Sequence, residues 1–261
     1  MKKLITVVIP IHLEVPSELE QMSLAQTLKI LGEFPITFQT QQGLNTKWYE
    51  DFCRGKAEVH FERFAWKGLL QYNALMLNPA FFERFKDFEY ILICHMDAFV
   101  FRNELKQWCN AGYDLIGSFL YAEKWVSRTQ SLNRFFGLEK APYYFNGGFG
   151  LYKVDWNQKL LDKVTLGVKA YITYHRVRRK GQYPLCDILV AQLAPTVSGW
   201  FTMAPAEAAK KFGANVEDDW DVNSLPFNNK DLSSLPFGAH GCFRWHPEFW
   251  RPAINALGYK V

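Results

Sequence analysis

The stretch LITVVIPI, from Leu4 to Ile11, decides the fold class. An apolar, β-branched run of this length is typical of a strand that is covered on both faces, as in a parallel sheet. A helical pattern begins at Ser17 and ends at Gly32, and PITFQT, which follows it, has the composition of a second strand. The chain therefore opens as β-α-β and predicts an α/β fold.

Strand and helix patterns continue to alternate along the rest of the chain. The segment EYILICHMDAFVF, residues 89–101, contains a buried strand that runs into an acidic turn. Glycines interrupt the strand pattern in the middle of the chain, which favours a mixed, mostly parallel sheet flanked by helices over a regular doubly wound one. We expect one Rossmann-like domain over residues 1–261. The other expected elements are a helix at 66–85 interrupted by Pro79, helices at 156–168 and 186–193, strands at 114–120, 143–154 and 199–205, and a polar loop at 213–234.

Composition and charge exclude several classes of protein. The chain has 261 residues, of which 49% are hydrophobic and 21% charged, as in a globular enzyme. A net charge of +4 is too mild for a nucleic-acid partner. It fits an anionic small molecule and weak attraction to an anionic membrane surface equally well. One basic cluster, Arg176 to Lys180, is either a solvated loop or a contact for phosphate or lipid head groups.

Cysteine usage and hydropathy indicate the compartment. The five cysteines are odd in number and widely spread, with no C-x-x-C pair, so they look like reduced thiols. The apolar run after Lys3 is brief and ends at a proline, which favours a buried strand over a signal peptide. No stretch approaches the roughly 20 apolar residues of a membrane span. We therefore expect a cytoplasmic protein that can work at the inner face of the membrane.

Asp97 is the strongest local signal for chemistry. An apolar strand delivers this carboxylate to its carboxyl end, where open α/β sheets bind ligands. A carboxylate there can hold a divalent cation that neutralises a leaving diphosphate. The alternative is an ordinary turn or helix-capping residue. His95, two residues earlier, either lines the site or is a half-buried histidine with satisfied hydrogen bonds.

Three further positions carry weaker signals. In Asn146-Gly147-Gly148 the glycines let backbone amides approach a ligand, although N-G is also a common turn dipeptide. Asp187 opens an apolar helix, where it is either a general base or a carboxylate favoured by the helix dipole. His240 lies in a glycine-flanked turn. There it is either a metal ligand, a hydrogen-bond donor to a diphosphate, or neither of these.

Read in order, these pieces resemble GT-A glycosyltransferases, and most of all an uncharacterised GT-A-like family known only as a domain of unknown function. The resemblance rests on TVVIPIHLE, a Y-N-x-L-M helix, the D-A-F-V-F strand, NGGFGLYKV and LPFGAHGCFRWHPEFW, and it spans nearly the whole chain. It implies a nucleotide-binding half at 1–120 and an acceptor-binding half at 121–261.

The resemblance also implies roles for individual residues. Pro10, His12 and Glu14 would lie near the nucleotide, and Asp97 near the diphosphate. Asn146, Gly147 and Gly148 would border the sugar, Asp187 would be the catalytic base, and His240 would complete a metal or diphosphate site. The sequence departs from the family pattern at two points. The usual D-x-D motif is reduced to Asp97 with Ala98 and Phe99, which removes a carboxylate. The usual acidic pair before the helix is Cys186-Asp187 here, which leaves one carboxylate. Basic residues that can take over from a metal are Lys67, Lys124, Arg128 and Arg244.

The expected function is transfer of a sugar from a nucleoside diphosphate sugar to a hydroxyl of a glycan or lipid-linked glycan. The expected reaction is inverting, with Mn²⁺ or Mg²⁺ as the candidate cofactor. Rival interpretations are a retaining transferase or nucleotidyltransferase on the same fold, and a non-catalytic scaffold that binds glycan or nucleotide.

Overall fold

The computed structural model describes residues 2–121, 143–178, 185–194, 199–217 and 219–261. Nine strands in these residues form one sheet in the order β3-β2-β1-β4-β7-β6-β8-β9-β5. The strands are β1 (Lys3–Ile11), β2 (Ile36–Gln41), β3 (Val59–Phe64), β4 (Phe88–Cys94), β5 (Phe99–Val100), β6 (Leu115–Leu120), β7 (Phe145–Lys153), β8 (Gly213–Asn215) and β9 (Gly238–His240).

The sheet is mixed and mostly parallel, as the sequence predicts. Strands β3, β2, β1 and β4 run parallel to one another. Strand β7 lies antiparallel between β4 and β6, and β6, β8 and β9 are again parallel to one another. Strand β5 closes the order by pairing antiparallel with β9. The buried residues of β1 and β4 explain why both strands are apolar throughout their centres.

Helices connect the strands, and the first of them supports the segment after Asp97. Ser17 and Glu20 form a capping box at its start. Inside the protein, the Ser23 hydroxyl donates to the carbonyl of Ala98, and the Gln26 amide donates to the carbonyl of Val100 at 2.8 Å. The helices are α1 (Glu18–Leu31), α2 (Lys47–Cys53), α3 (Gly68–Met76), α4 (Pro79–Glu83), α5 (Leu105–Asn110), α6 (Val154–Arg178), α7 (Cys186–Leu193), α8 (Ala206–Phe212), α9 (Asp219–Val222) and α10 (Pro247–Ala256).

Buried side chains form two hydrophobic clusters. The larger one fills the space around β1, β4, β6 and β7. The smaller one gathers Phe99, Phe101 and Trp250, with the Phe101 and Trp250 rings stacked at 5.5 Å between centroids. This second cluster includes residues of β5, β8 and β9, so it fixes the end of the sheet to which Asp97 and His240 belong.

The structure corrects several predicted elements. The strand expected at 199–205 is only a single bridge from Met203 to Leu115. The loop expected at 213–234 contains β8 and α9. The interruption that Pro79 predicts in the helix at 66–85 is confirmed, since it separates α3 from α4, and Pro79 is the first residue of α4. The helix expected at 156–168 extends over 154–178. Among the described residues, no helix combines the length and apolar composition needed to cross a bilayer.

Candidate functional site

Strand register brings the candidate site together. In the β4–β7 pair, Cys94 lies opposite Phe149, so the next residues along, His95 and Gly148, also face each other. The His95 amide donates to the carbonyl of Gly148 at 2.7 Å. In the β5–β9 pair, Phe99 lies opposite Ala239, and antiparallel pairing therefore places the turn at Asp97 beside His240.

Three side chains form a cluster at this point. His95, Asp97 and His240 each offer one ligand atom, and these atoms lie within 4.8 Å of one another. His240 Nε2 and Asp97 Oδ1 are 3.3 Å apart. The Asp97 side chain is 28% exposed and that of His240 10% exposed, so the cluster is open to small ligands from one side.

The hydrogen bonds of His240 determine which of its nitrogens carries a proton. Parallel register places Asn215 opposite His240, and His240 Nδ1 lies 2.9 Å from Asn215 Oδ1. The Asn215 amide is oriented by donating to Glu217 Oε1 at 3.2 Å, so its oxygen faces the histidine as an acceptor. Nδ1 must therefore donate. In the neutral ring, Nε2 presents its lone pair to Asp97.

This geometry fits a cation. A neutral Nε2 and a carboxylate oxygen at 3.3 Å are two acceptors that face each other without a donor between them. Either a second proton on His240 or a divalent cation removes the repulsion. The donor set of two imidazoles and one carboxylate belongs to the usual protein ligands of transition metals. The residues present therefore fit the divalent cation that the sequence predicts.

His95 is held by an aromatic partner on α3. Tyr72 Oη lies 2.8 Å from His95 Nε2. Burial, together with the nearby His240, lowers the pKa of His95 to about 4, so the ring is neutral at physiological pH. Burial raises the pKa of Tyr72 well above its ordinary value, so its phenol stays protonated. The His95 ring is thus neutral and held in place.

Asp97 remains ionised in this environment. Burial acts to raise the pKa of Asp97, but the nearby His240 and His95 lower it by more, so that it lies below the ordinary aspartate value. The backbone carbonyl of Asp97 accepts a hydrogen bond from the Cys242 amide at 3.1 Å. The turn therefore presents a fixed negative charge to the cluster.

Gly148 of β7 lies directly against the cluster. A side chain at Gly148 would overlap the His240 ring and come within 2.8 Å of His95 Nδ1. The Gly148 amide is held by Asn146 Oδ1 at 2.8 Å. Position 148 must therefore be glycine for the two histidines to approach each other.

Asp187 borders the other side of the same strand. Its Oδ2 accepts from the Gly147 amide at 2.9 Å, and its Oδ1 accepts from the Ile188 amide at 2.8 Å. Burial raises the pKa of Asp187 above its ordinary value, and the two amides counteract this only in part. Asn73 fixes the start of α7 by accepting from the Cys186 amide at 3.1 Å.

A cavity of about 590 Å³ opens next to the cluster. It extends from the loop after β1 to the turn at Asp97, at the carboxyl ends of β1 and β4. Ligands bind at this edge of open α/β sheets. Its wall is rich in aromatic and apolar side chains and carries one guanidinium, from Arg244. The lining residues used below are Pro10, His12, Gln41, Trp66, Tyr72 and Arg244.

The predicted residues fall into distinct positions. Pro10, His12 and Asp97 line the cavity. Glu14 and Lys67 are exposed and are not among the described residues that line it, although Trp66 and Gly68 on either side of Lys67 do so. Lys124 and Arg128 lie outside the described residues, as do Arg179 and Lys180 of the basic cluster.

Asp97 and His240, the two residues predicted to hold a metal, both belong to the cluster. Ala98 and Phe99, which follow Asp97 where the D-x-D motif is reduced, are fully buried in the apolar interior. The structure instead places His95 in the cluster, so the motif is His95-Met96-Asp97. Sequence reasoning also missed Asn215 and Tyr72. The spacing H-x-D after a strand was the available signal for His95.

Comparison of the sequence and the structure with known proteins shows the family and the fold. A family model described as "Protein of unknown function (DUF5672)" matches residues 58–240. A search of curated proteins finds no significant match. Mouse xyloside xylosyltransferase 1 in its apo form superposes with a TM-score of 0.60 at 11% identity, covering 92% of this chain and 98% of that one.

Two further glycosyltransferases are similar in structure. The galactosyltransferase LgtC, solved with donor and acceptor sugar analogues, has a TM-score of 0.60 at 14% identity and covers 98% of this chain and 97% of its own. The glycosyltransferase GlyE of Streptococcus pneumoniae TIGR4 has a TM-score of 0.52 at 13% identity, over 92% of this chain and 55% of that one. At such identities the likeness shows the fold alone, which is that of GT-A glycosyltransferases. The chain belongs to the family described as Protein of unknown function (DUF5672) and has a GT-A fold.

Proposed function

We propose that the protein transfers a sugar from a nucleoside diphosphate sugar to a hydroxyl of a glycan or lipid-linked glycan. The observation that carries the proposal is the continuity between the cavity and the cluster. One cavity reaches from the loop after β1, through Trp66 and Tyr72, to His95 and Asp97. Its size and aromatic wall suit a nucleotide, and its inner end suits a diphosphate.

The donor is proposed to lie along this cavity. The base and ribose would contact the segment around Pro10 and His12, with Gln41 available for hydrogen bonds. Arg244 is exposed at the cavity and lies 4.7 Å from the Trp245 ring centroid. Its guanidinium can pair bidentately with phosphate oxygens. Lys67 and Glu14 would contact the donor only at the outer edge of the cavity.

The diphosphate is proposed to meet the His95–Asp97–His240 cluster. A divalent cation bound there would neutralise the negative charge that develops on the departing diphosphate. The role of the chain is to hold this site rigidly, through Tyr72 on one histidine and Asn215 on the other. Such preorganised charge stabilisation is the largest contribution to many enzymes' rates.

Asp187 is proposed as the general base of an inverting displacement. It is linked to the sugar-bordering segment by the Gly147 amide, and each carboxylate oxygen keeps a lone pair beside the one that accepts a backbone amide. Its raised pKa favours uptake of a proton from an acceptor hydroxyl. We further propose that residues 1–120 serve the donor and 121–261 the acceptor. This is in line with the cavity wall, whose described residues come from the first part apart from Phe243 and Arg244.

The test is a thermal-shift screen of the purified protein against nucleoside diphosphates and nucleotide sugars, with and without Mn²⁺. A ligand that binds only the folded state raises the melting temperature by mass action. We expect a selective shift with one nucleotide, its loss in Asp97→Asn, and donor hydrolysis in long incubations. Asp162→Asn, on the exposed side of α6, is the matched control. A protein that neither shifts nor hydrolyses any donor would be a non-catalytic scaffold, and the proposal would fall.

A further inference from the structure

The donor atoms of the cluster are unusual for a site that is meant to hold Mg²⁺. Two of the three ligand atoms are imidazole nitrogens, from His95 and His240, and only one is a carboxylate oxygen. Mg²⁺ binds through oxygen ligands and keeps several waters, whereas imidazole suits Mn²⁺, Co²⁺ and Zn²⁺ increasingly well along the first transition row. The element of the ligand atoms, nitrogen or oxygen, therefore discriminates between these ions.

We infer that the His95–Asp97–His240 cluster selects a first-row transition ion over Mg²⁺, with His95 as the residue that sets this preference. The role of the bound ion in this inference rests on the proposed function. The binding of the ion itself does not depend on that function. It differs from a carboxylate-only motif because one oxygen ligand is exchanged for nitrogen at the end of β4.

The orientation of both rings supports nitrogen ligation. A Cβ atom at Gly148 would overlap His240 Nε2 and lie 2.8 Å from His95 Nδ1, so these two nitrogens lie close together on the side of the cluster next to Gly148. On the far side of each ring, the other nitrogen is engaged, His95 Nε2 by Tyr72 and His240 Nδ1 by Asn215. Metal-binding histidines characteristically have such a hydrogen bond on their second nitrogen.

The hydrogen bonds behind His240 form a chain of fixed polarity. Glu217 accepts from the Asn215 amide, and Asn215 accepts from His240 Nδ1. Asn215 is fully buried, so water does not compete for this bond. This series of hydrogen bonds keeps the Nε2 lone pair of the neutral His240 ring directed at Asp97. Asn215 is therefore a positioning residue for the ion.

The experiment measures binding of the metal alone, without nucleotide, to the full chain stripped of metal. Isothermal titration at constant neutral pH gives the affinities for Co²⁺, Mn²⁺ and Mg²⁺, and the visible absorption of bound Co²⁺ reports nitrogen ligation. We expect Co²⁺ and Mn²⁺ to bind roughly tenfold or more tightly than Mg²⁺. Equal affinity for Mg²⁺ in the wild type, or no binding of any ion, would overturn the inference without any variant.

Two variants test which residues set the metal preference and the metal affinity. His95→Asp should bring the Co²⁺ and Mg²⁺ affinities together, and Asn215→Leu should lower Co²⁺ affinity about 10–100-fold with the preference over Mg²⁺ kept. His60→Asn, which removes an exposed imidazole on β3, should change neither value. An unchanged Co²⁺ to Mg²⁺ ratio in folded His95→Asp contradicts the role of His95. Selective metal binding in a protein that ignores every nucleotide would refute the proposed function and leave this inference standing.

Discussion

Gly148 and His240 are packed so closely that the imidazole of one occupies the space where a side chain of the other would be. The contact joins β7 to β9, two strands that are not neighbours in the sheet. It connects the Asn146-Gly147-Gly148 segment to the cluster of His95, Asp97 and His240, so a substitution at Gly148 should also displace the His240 ring.

The first prediction concerns this contact. Gly148→Ala should displace the His240 ring, cost about 1–3 kcal/mol of stability through overpacking, and abolish both metal binding and transfer. Gly167→Ala is the matched control, because position 167 lies within α6 with no neighbouring atom in the way. That substitution should stabilise the protein by roughly 0.5–1 kcal/mol. Chemical unfolding and metal titration check both variants, and full metal binding by Gly148→Ala would contradict the packing argument.

The second prediction separates catalysis from binding at Asp187. Asp187→Asn should lower kcat by about 10²–10⁴-fold, as expected for loss of a general base, and leave donor affinity within a few-fold of the wild type. Nucleotide titration and initial rates with acceptor measure the two effects. If donor binding and transfer disappear together, the carboxylate serves to hold Gly147 and α7 rather than to take a proton.

The third prediction follows from the raised pKa of Asp187. A base must be deprotonated, so kcat/KM should fall on the acid side at a pH above the ordinary aspartate pKa. The pH dependence of stability runs the other way from that of activity. Because the folded state binds this proton more tightly than the unfolded state, the contribution of Asp187 to the free energy of unfolding decreases as pH rises between the two pKa values. Urea unfolding over this window should be less pH-dependent in Asp187→Asn. An identical slope in both proteins would show that Asp187 has no such shift.

The fourth prediction ranks the basic residues around the cavity. Arg244 lines the cavity and Lys67 does not, so Arg244→Ala should weaken nucleoside diphosphate binding by about 10–100-fold, the loss expected for a charged hydrogen bond. Lys67→Ala should change it less than about threefold, which is the scale of an exposed charge. Arg251→Ala, which breaks an ion pair with Glu248 on α10, is the control. The reverse ranking would move the diphosphate to the rim.

Local patterns predicted the strands that are buried on both faces, and little of the sheet beyond them. The runs that form β1 and β4 are apolar enough to be recognised alone. Strand β3 mixes polar with apolar residues and is largely only partly buried, because it lies at the edge of the described sheet. Strands β8 and β9 contain three residues each, too few for any periodicity to show.

The site was predictable to the same limited extent. Asp97 and His240 were singled out by their positions after strands or in tight turns, and the structure brings them within 3.3 Å. The neighbour of His240, Asn215, has no local feature that marks it, because only the register of β8 against β9 makes the pair. His95 was ambiguous alone, since a half-buried histidine with a tyrosine partner and a ligating histidine look the same in sequence. What was missed depends on contacts between distant parts of the chain.

The position of β9 between β8 and β5 has a consequence for synthesis. Asp97 is synthesised after all of the first four strands, whereas its partner His240 follows only after more than half of the chain has been added. The cluster of His95, Asp97 and His240 is therefore completed late in synthesis, when β9 takes its place between β8 and β5. A chain that ended before β9 would contain His95 and Asp97 without His240, the third side chain of the cluster.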